Sequence, residues 1–322
     1  MKLFLSKILV IILTPFFIFS TAQANEDISE ASKISQEIFG PRVPIDKAYG
    51  AFQRGFFLTA LQLALPRAEL GEASAQTLIA QIYANGLGVA KNSALAANWY
   101  MLADKTGDIN ATFELALLYQ AGEGVPKNRE KAAQLFKKAA DLGHIEAIYN
   151  LAILHVEGKY VLPDLSLAAN LLKIAANYGI SEAQYDYGIM LIEGAGIAPD
   201  IKAGANQIRL AANNGLSAAQ VEYATLLYLG KGVERNLKQA IIYYQTAAQN
   251  GNPVAQNRLA KLLAIGEGIE LNQQQAAMWR SLARRQGLID KSLDRLLVSI
   301  NADDLAKAEE MARFWPNPPP KN

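Results

Sequence analysis

Apolar residues between positions 72 and 287 recur at three- and four-residue steps. In one stretch they fall at Ala111, Leu115, Leu118 and Tyr119, and after a polar break they fall again at Ala132, Ala133, Leu135, Phe136 and Ala139. That spacing puts each set on one face of an α-helix, so the pattern predicts two short helices joined by a polar loop. The pair then repeats. Gly71, Gly107, Gly143, Gly179, Gly215, Gly251 and Gly287 stand 36 residues apart, and Ala75, Ala111, Ala147, Ala183, Ala219 and Ala255 keep the same step.

Two further glycine series mark the loops. Gly86, Gly122, Gly158, Gly194, Gly230 and Gly266 form one; Gly88, Gly124, Gly196, Gly232 and Gly268 form the other, with Tyr160 in the remaining place. The three series take up 18 of the 23 glycines, which makes glycine a marker of turns here. A helix commonly ends next to a residue of positive φ, which glycine reaches without steric cost. The first helix of each pair is therefore expected to stop at Gly122 and its equivalents, and the second at Gly143 and its equivalents. The second helix is expected to begin after Asn92, Asn128, Asp164, Asp200, Asn236 or Asn272, whose side chains can accept from the free N–H groups of a first turn. Small residues recur at Ala80, Ala116, Ala152, Gly188, Ala224 and Ala260, and again at Ala103, Ala139, Ala175, Ala211, Ala247 and Ala283. They would let helix axes approach toward the short end of the roughly 8–10 Å packing range, with Leu115, Leu151, Tyr187 and Tyr223 filling the space between. One pair cannot bury both its faces, so the units must stack, and the predicted fold is an all-α solenoid of helix hairpins.

The flanks read differently. Lys2 and Lys7, an apolar run over residues 8–19 and the small-x-small site Ala22-Gln23-Ala24 make residues 1–24 an export signal. Pro15 and that site argue against an uncleaved anchor, and no later stretch is apolar enough to span a bilayer. The expected location is the periplasm, or the medium beyond it. Residues 25–46 read as a polar linker broken by Pro41 and Pro44, 47–71 as an N-terminal capping helix pair, and 72–287 as six repeats. Residues 288–315 read as closing helices over 288–300 and 303–315, with Leu293, Leu296, Leu297 and Phe314 turned inward and charge outward. Residues 316–322 form a Pro-rich tail.

Composition narrows the chemistry. The 322 residues are 51% hydrophobic and 19% charged, too apolar for a disordered chain. Lys and Arg number 31 against 30 Asp and Glu, and without a basic excess nucleic acid is excluded as the main ligand. There is no cysteine, which removes disulfides, thiolate metal sites, a cysteine nucleophile and a lipoprotein anchor.

The pattern Ala-x-x-x-Leu-Ala-x-x-Tyr-x-x-Gly-x-Gly-Val, then Ala-Ala-x-Leu-Phe-x-x-Ala-Ala-x-x-Gly, from Ala111 to Gly143, resembles the Sel1-like repeat, a relative of the tetratricopeptide repeat. The resemblance implies a right-handed α-superhelix that acts by binding other proteins. Some bacterial relatives are periplasmic regulators of envelope signalling, and others contact host factors. Departures are local: Tyr160 for the second loop glycine, His155 for the tyrosine, and Gln207 where an apolar residue is usual.

No constellation spells catalysis. The Gly-x-Gly loop follows a helix and lacks a third glycine, and Gly230-Lys231-Gly232 lacks the Ser or Thr of a P-loop, so both read as turns. His144 and His155, the only histidines, lie too far apart for a helix-face ligand pair and read as a turn residue and a partly packed tyrosine substitute. Cysteine-rich relatives have been linked to β-lactam hydrolysis, but Ser-x-x-Lys, Ser-Asp-Asn and Gly-x-Ser-x-Gly are absent. No catalytic, metal or cofactor residue is assigned, and a hydrolase is the least favoured reading.

Surface remains. If the first helices line the concave side, as the resemblance implies, Phe113, Tyr149, Tyr185 and Val221 share one phase, and Leu117, Ile153 and Ile189 share a second. In the first and last copies these phases become Thr77, Gln81, Asn257 and Lys261. The expected site is an apolar stripe that receives a segment of another protein, rimmed by Glu146, Glu157, Glu182 and Glu193, which favour a basic or amine-bearing partner. The same residues could instead pack between repeats. The expected function is a non-catalytic protein–protein interaction scaffold or adaptor acting on an envelope sensor or assembly factor. The alternative is an envelope glycan binder, although Trp99 and Trp279, which share a phase of the second helix, are better explained by helix packing.

Overall fold

Sixteen helices and no strand make up residues 46–316, the part of the chain described by the computed structural model. The expected export signal, nearly all of the polar linker and residues 317–322 of the tail lie outside the described residues. The chain divides into two units, residues 1–63 and 64–322. In the first, α1 (Lys47–Gln53) follows Asp46, whose carboxylate accepts from the N–H groups of Ala48 and Tyr49. Phe52 meets Phe57 edge-on, with ring centroids 5.5 Å apart. The helix α2 (Phe57–Glu69) begins here and runs through the unit boundary.

The second unit holds six hairpins. These are α3 (Ala73–Asn85) with α4 (Ser93–Lys105), α5 (Ile109–Ala121) with α6 (Arg129–Asp141), α7 (Ile145–Glu157) with α8 (Leu165–Asn177), α9 (Ser181–Glu193) with α10 (Ile201–Asn213), α11 (Ser217–Leu229) with α12 (Leu237–Gln249), and α13 (Pro253–Ile265) with α14 (Gln273–Arg285). Each of the twelve helices has 13 residues, about 20 Å of rise. Two helices follow, α15 (Lys291–Leu296) and α16 (Ala302–Phe314).

The local signals act as the sequence predicts. All six expected caps accept a backbone N–H at the start of a second helix; Asn128 Oδ1, for example, lies 2.9 Å from the Lys131 nitrogen. All eighteen phased glycines have positive φ. Tyr160, at φ 67°, is the only other residue type among the described residues to do so.

Stacking depends on small residues. The alanines at 80, 116, 152, 224 and 260 and at 103, 139, 175, 211, 247 and 283 are fully buried, and successive helices pack on one another along the array. At Gly188 and Gly204 the approach is backbone to backbone: a Cβ on Gly204 would lie 2.5 Å from the Gly188 carbonyl oxygen. A buried polar tether recurs beside these contacts. Gln76, Gln184, Gln220 and Gln256 each donate from Nε2 to the carbonyl eight residues back, on Ala68, Ala176, Ala212 and Ala248. Gln207 Oε1 is buried without a protein partner, which is where the apolar pattern had faltered.

The second loop glycine also carries packing. A Cβ on Gly124 would sit 2.1 Å from the Ser93 carbonyl oxygen, and one on Gly196 2.3 Å from that of Leu165. Each loop therefore rests on the start of the preceding repeat's second helix. Tyr160 has a Cβ and cannot settle in that way. Instead a cleft of about 290 Å³ opens there, lined by Gln120, Arg129, Phe136, Leu154, Glu157 and Tyr160 among others.

The closing segment departs from expectation. Only Lys291–Leu296 is helical within residues 288–300, because Asp290 caps the N–H groups of Ser292 and Leu293 and the Leu288 carbonyl accepts from Arg280 instead of a helix N–H. Leu293 and Leu297 turn inward and Phe314 is half-buried, but Leu296 is 45% exposed. The charges do not all face outward either: Asp290 and Asp294 turn toward Lys261 and Arg280.

Candidate partner-binding face

The first helices of repeats two to five carry the seven stripe residues: Phe113 and Leu117 on α5, Tyr149 and Ile153 on α7, Tyr185 and Ile189 on α9, and Val221 on α11. All seven are half-buried. Their inner atoms pack against the buried core while their outer atoms stay in solvent. Some also join repeats. The Tyr149 hydroxyl donates to Asp186 Oδ2 at 3.1 Å, one repeat further on, and the Phe113 ring stacks on His144 at 4.3 Å between centroids.

His144 therefore does more than turn the chain. Its Nδ1 accepts from the Ala147 N–H at 3.3 Å, which makes it the N-cap of α7. Burial lowers its pKa, with Glu146 opposing, and the neutral ring is the form that can accept. His155 Nδ1 lies 2.9 Å from the Leu162 carbonyl oxygen and holds the loop that carries Tyr160.

A second column escaped the apolar reading. Glu114, Asp186 and Glu222 each follow a first-phase stripe residue by one position and are half-buried on α5, α9 and α11. Burial pushes the Glu114 carboxyl above its ordinary value. For Asp186 burial again raises it, Glu182 adds, and the Tyr149 hydrogen bond opposes. Among the described residues these three acids form no ion pair with Lys or Arg. Burial and the neighbouring acids raise Tyr149 and Tyr185 in turn, which keeps both hydroxyls protonated and able to donate. The four rim glutamates, Glu146, Glu157, Glu182 and Glu193, are exposed.

The stripe ends in polar residues. Thr77 is buried and Gln81 half-buried at one end. At the other, the closing segment meets Asn257 and Lys261: Asp290 Oδ2 lies 2.6 Å from Lys261 Nζ and 2.7 Å from Asn257 Nδ2. Arg280 grips Asp294 with two parallel bonds of 2.7 and 3.0 Å. Burial would push the Asp290 carboxyl up, but hydrogen bonds from Lys261, Ser292, Asn257 and the Leu293 N–H outweigh it and hold the group well below the usual carboxylate range. The Arg280 hydrogen bonds lower Asp294 likewise.

This stacked-hairpin geometry can be compared with known proteins. A model of the Sel1 repeat matches residues 73–103, 109–144, 145–179, 181–216, 217–252 and 253–288, more than half of the chain. The chain belongs to the Sel1 repeat family. Among solved structures it is similar to a Sel1 repeat protein from Oxalobacter formigenes, with 27% identity over 76% of this chain and 97% of that one and a TM-score of 0.68. It is also similar in fold to c5321, described as a protective antigen present in uropathogenic Escherichia coli strains displaying an SLR fold. There the identity is 23%, the TM-score 0.70 and the coverage 89% of this chain and 64% of the antigen. A comparison with curated proteins finds no match. Sel1 repeats generally serve as protein–protein interaction scaffolds and are typically non-catalytic.

The triplet Lys105-Thr106-Gly107 does spell one element of the β-lactamase signature. It closes α4, where Thr106 is the C-cap and its hydroxyl donates to the Ala103 carbonyl at 3.0 Å. Among the described residues, no three His, Cys, Asp or Glu side chains gather as a metal site, and no helix is long and apolar enough to cross a membrane.

Proposed function

We propose that this protein is a non-catalytic adaptor, exported to the periplasm, that docks another protein along the first-helix face of repeats two to five. One observation carries the reading. Seven apolar side chains stay in register over four consecutive repeats and remain half-buried, while the alanines behind them are sealed. Tyr100, Phe136 and Leu172 are sealed by contrast. Half-buried aromatics with protonated hydroxyls are also the side chains that most often anchor protein interfaces. Export rests on the basic start, apolar run and cleavage site of residues 1–24.

Glycan binding has less support. Trp279 is 9% exposed and meets Trp315 edge-on at 6.2 Å, so its ring is engaged within the fold.

Replacing Tyr149 and Tyr185 together by Ser tests the proposal. In-cell crosslinking with identification of the captured molecule should recover a protein partner with the parent chain and lose it with the variant, whose stability falls only by what two half-buried rings and the Tyr149–Asp186 bond contribute. A variant that melts much earlier would make the tyrosines packing residues, and recovery of glycan alone would refute the protein-docking reading. Cell fractionation checks the location: the expected product is periplasmic and begins at Asn25.

A further inference from the structure

The repeat register brings the same two positions together in the first, fifth and sixth repeats. Residues 100, 136, 172, 208, 244 and 280 of the second helices precede residues 114, 150, 186, 222, 258 and 294 by 14. At the closed end this pair is Arg280 and Asp294, a guanidinium only 5% exposed bonded twice to a carboxylate. At the other end it is Tyr100 and Glu114, close enough for the acid to act on the hydroxyl. In the middle, the residues that stand where Arg280 stands are Leu172 and Ile208, both fully buried, while the acids remain as Asp186 and Glu222. These carboxylates occupy the place of Asp294 without its cation. The other charges that act beside Tyr149 and Tyr185 are Glu182 and Glu193, again negative. Arg258 ends the run one repeat after Glu222, and the two act on the same Tyr244 hydroxyl without forming an ion pair.

A charge in a half-desolvated setting favours an opposite charge that arrives already hydrogen-bonded to it. Resting on the docking reading above, we infer that the partner is a segment that presents arginine or lysine to Glu114, Asp186 and Glu222 and lays apolar side chains on the stripe between them. The chain's own ends do not fit. Residues 25–45 carry Glu26, Asp27, Glu30 and Glu37 against Lys33 and Arg42, and residues 317–322 offer only Lys321. Helices packed at the usual interaxial distance put the step between repeats at about 10 Å, a gap the Tyr149 side chain spans to reach Asp186. An extended segment with three residues per turn and about 3.1 Å per residue would present its basic residues at three- or six-residue intervals.

The test uses the purified chain and a displayed library of random linear peptides. Peptides enriched on the parent protein should carry two or more Arg or Lys residues, and the best of them, made synthetically, should weaken at higher salt. Asp186→Asn and Glu222→Gln should each reduce its affinity about 10-fold, the loss of one charge-assisted hydrogen bond at a half-exposed site. Glu130→Gln, on α6 away from the stripe, should leave it unchanged. Asp186→Asn removes a charge that has no cation beside it and keeps an oxygen that can accept from Tyr149, so it should melt close to the parent, which separates lost binding from lost folding. Enriched peptides without cations that nevertheless depend on Tyr149 and Tyr185 would overturn the charge assignment and leave the docking reading standing. Enrichment of nothing, or of peptides indifferent to Tyr149 and Tyr185, would overturn both.

Discussion

Tyr160 holds a glycine's place, and Tyr160→Gly is expected to stabilise the protein. The left-handed conformation costs a non-glycine residue about 1–2 kcal/mol, and Tyr160 sits at φ 67°. Glycine returns about 0.4–1 kcal/mol of freedom to the unfolded chain, so the net gain is about 0.5–1 kcal/mol. Tyr160 is 46% exposed, so the contacts of its remaining half are lost with the ring, and the gain requires that the loop replace them. Without a Cβ the loop can also drop onto the start of α6, as Gly124 rests on Ser93 and Gly196 on Leu165, closing the cleft beside Arg129. Thermal melting should rise by about 2 °C for that gain in a chain of this size. Because repeat arrays open locally, amide exchange gives the sharper assay: protection should increase over residues 155–164 and stay constant in repeats five and six. A lower melting temperature, or unchanged protection in that loop, would refute the reasoning.

The reverse substitution at the equivalent place should be severe. Gly124→Ala puts a Cβ 2.1 Å from the Ser93 carbonyl oxygen at φ 72°, and denaturant melts should show a loss above about 2 kcal/mol. Gly107→Ala, with φ 92° and open space around it, should lose only about 1 kcal/mol. Arg280→Met should loosen the closing segment by about 2 kcal/mol, less than a fully buried pair because Asp294 is partly exposed, read as faster amide exchange over residues 288–297. The Asp290 and Asp294 carboxyls are lowered in the folded chain, so their contribution is complete above the ordinary carboxylate pKa of about 4 and shrinks progressively as pH falls below it toward their lowered values. Exchange at pH 3 should therefore open this end before the middle of the array.

Most of the architecture was legible because two unrelated signals fell on the same 36-residue step. The glycines marked where φ must be positive, and the Asn and Asp residues marked where free N–H groups needed an acceptor. Neither signal depends on distant contacts. The closing segment was harder to read, since residues 288–300 look like one helix with Leu296 inward until Arg280 is seen to take the Leu288 carbonyl. An arginine at a phase otherwise held by Tyr, Phe, Leu and Ile was the available clue that a charge would be buried there. The column of Glu114, Asp186 and Glu222 was hidden for a related reason: a hydrophobic pattern records which positions are apolar and passes over what stands next to them. His144 was underestimated because imidazole is seldom a cap, and its acceptor role shows only when the ring is neutral and aimed at Ala147.

The glutamine tethers bear on how such a molecule can change its length. Each joins equivalent points of adjoining modules, from Nε2 of one to the carbonyl eight residues back. Excision of residues 181–216 would bring Gln220 against Ala176 in place of Ala212, with an identical seam. Gain or loss of a whole module among the last three repeats thus leaves its junctions familiar, and the reach of the array can drift through duplication there without any new joint being invented.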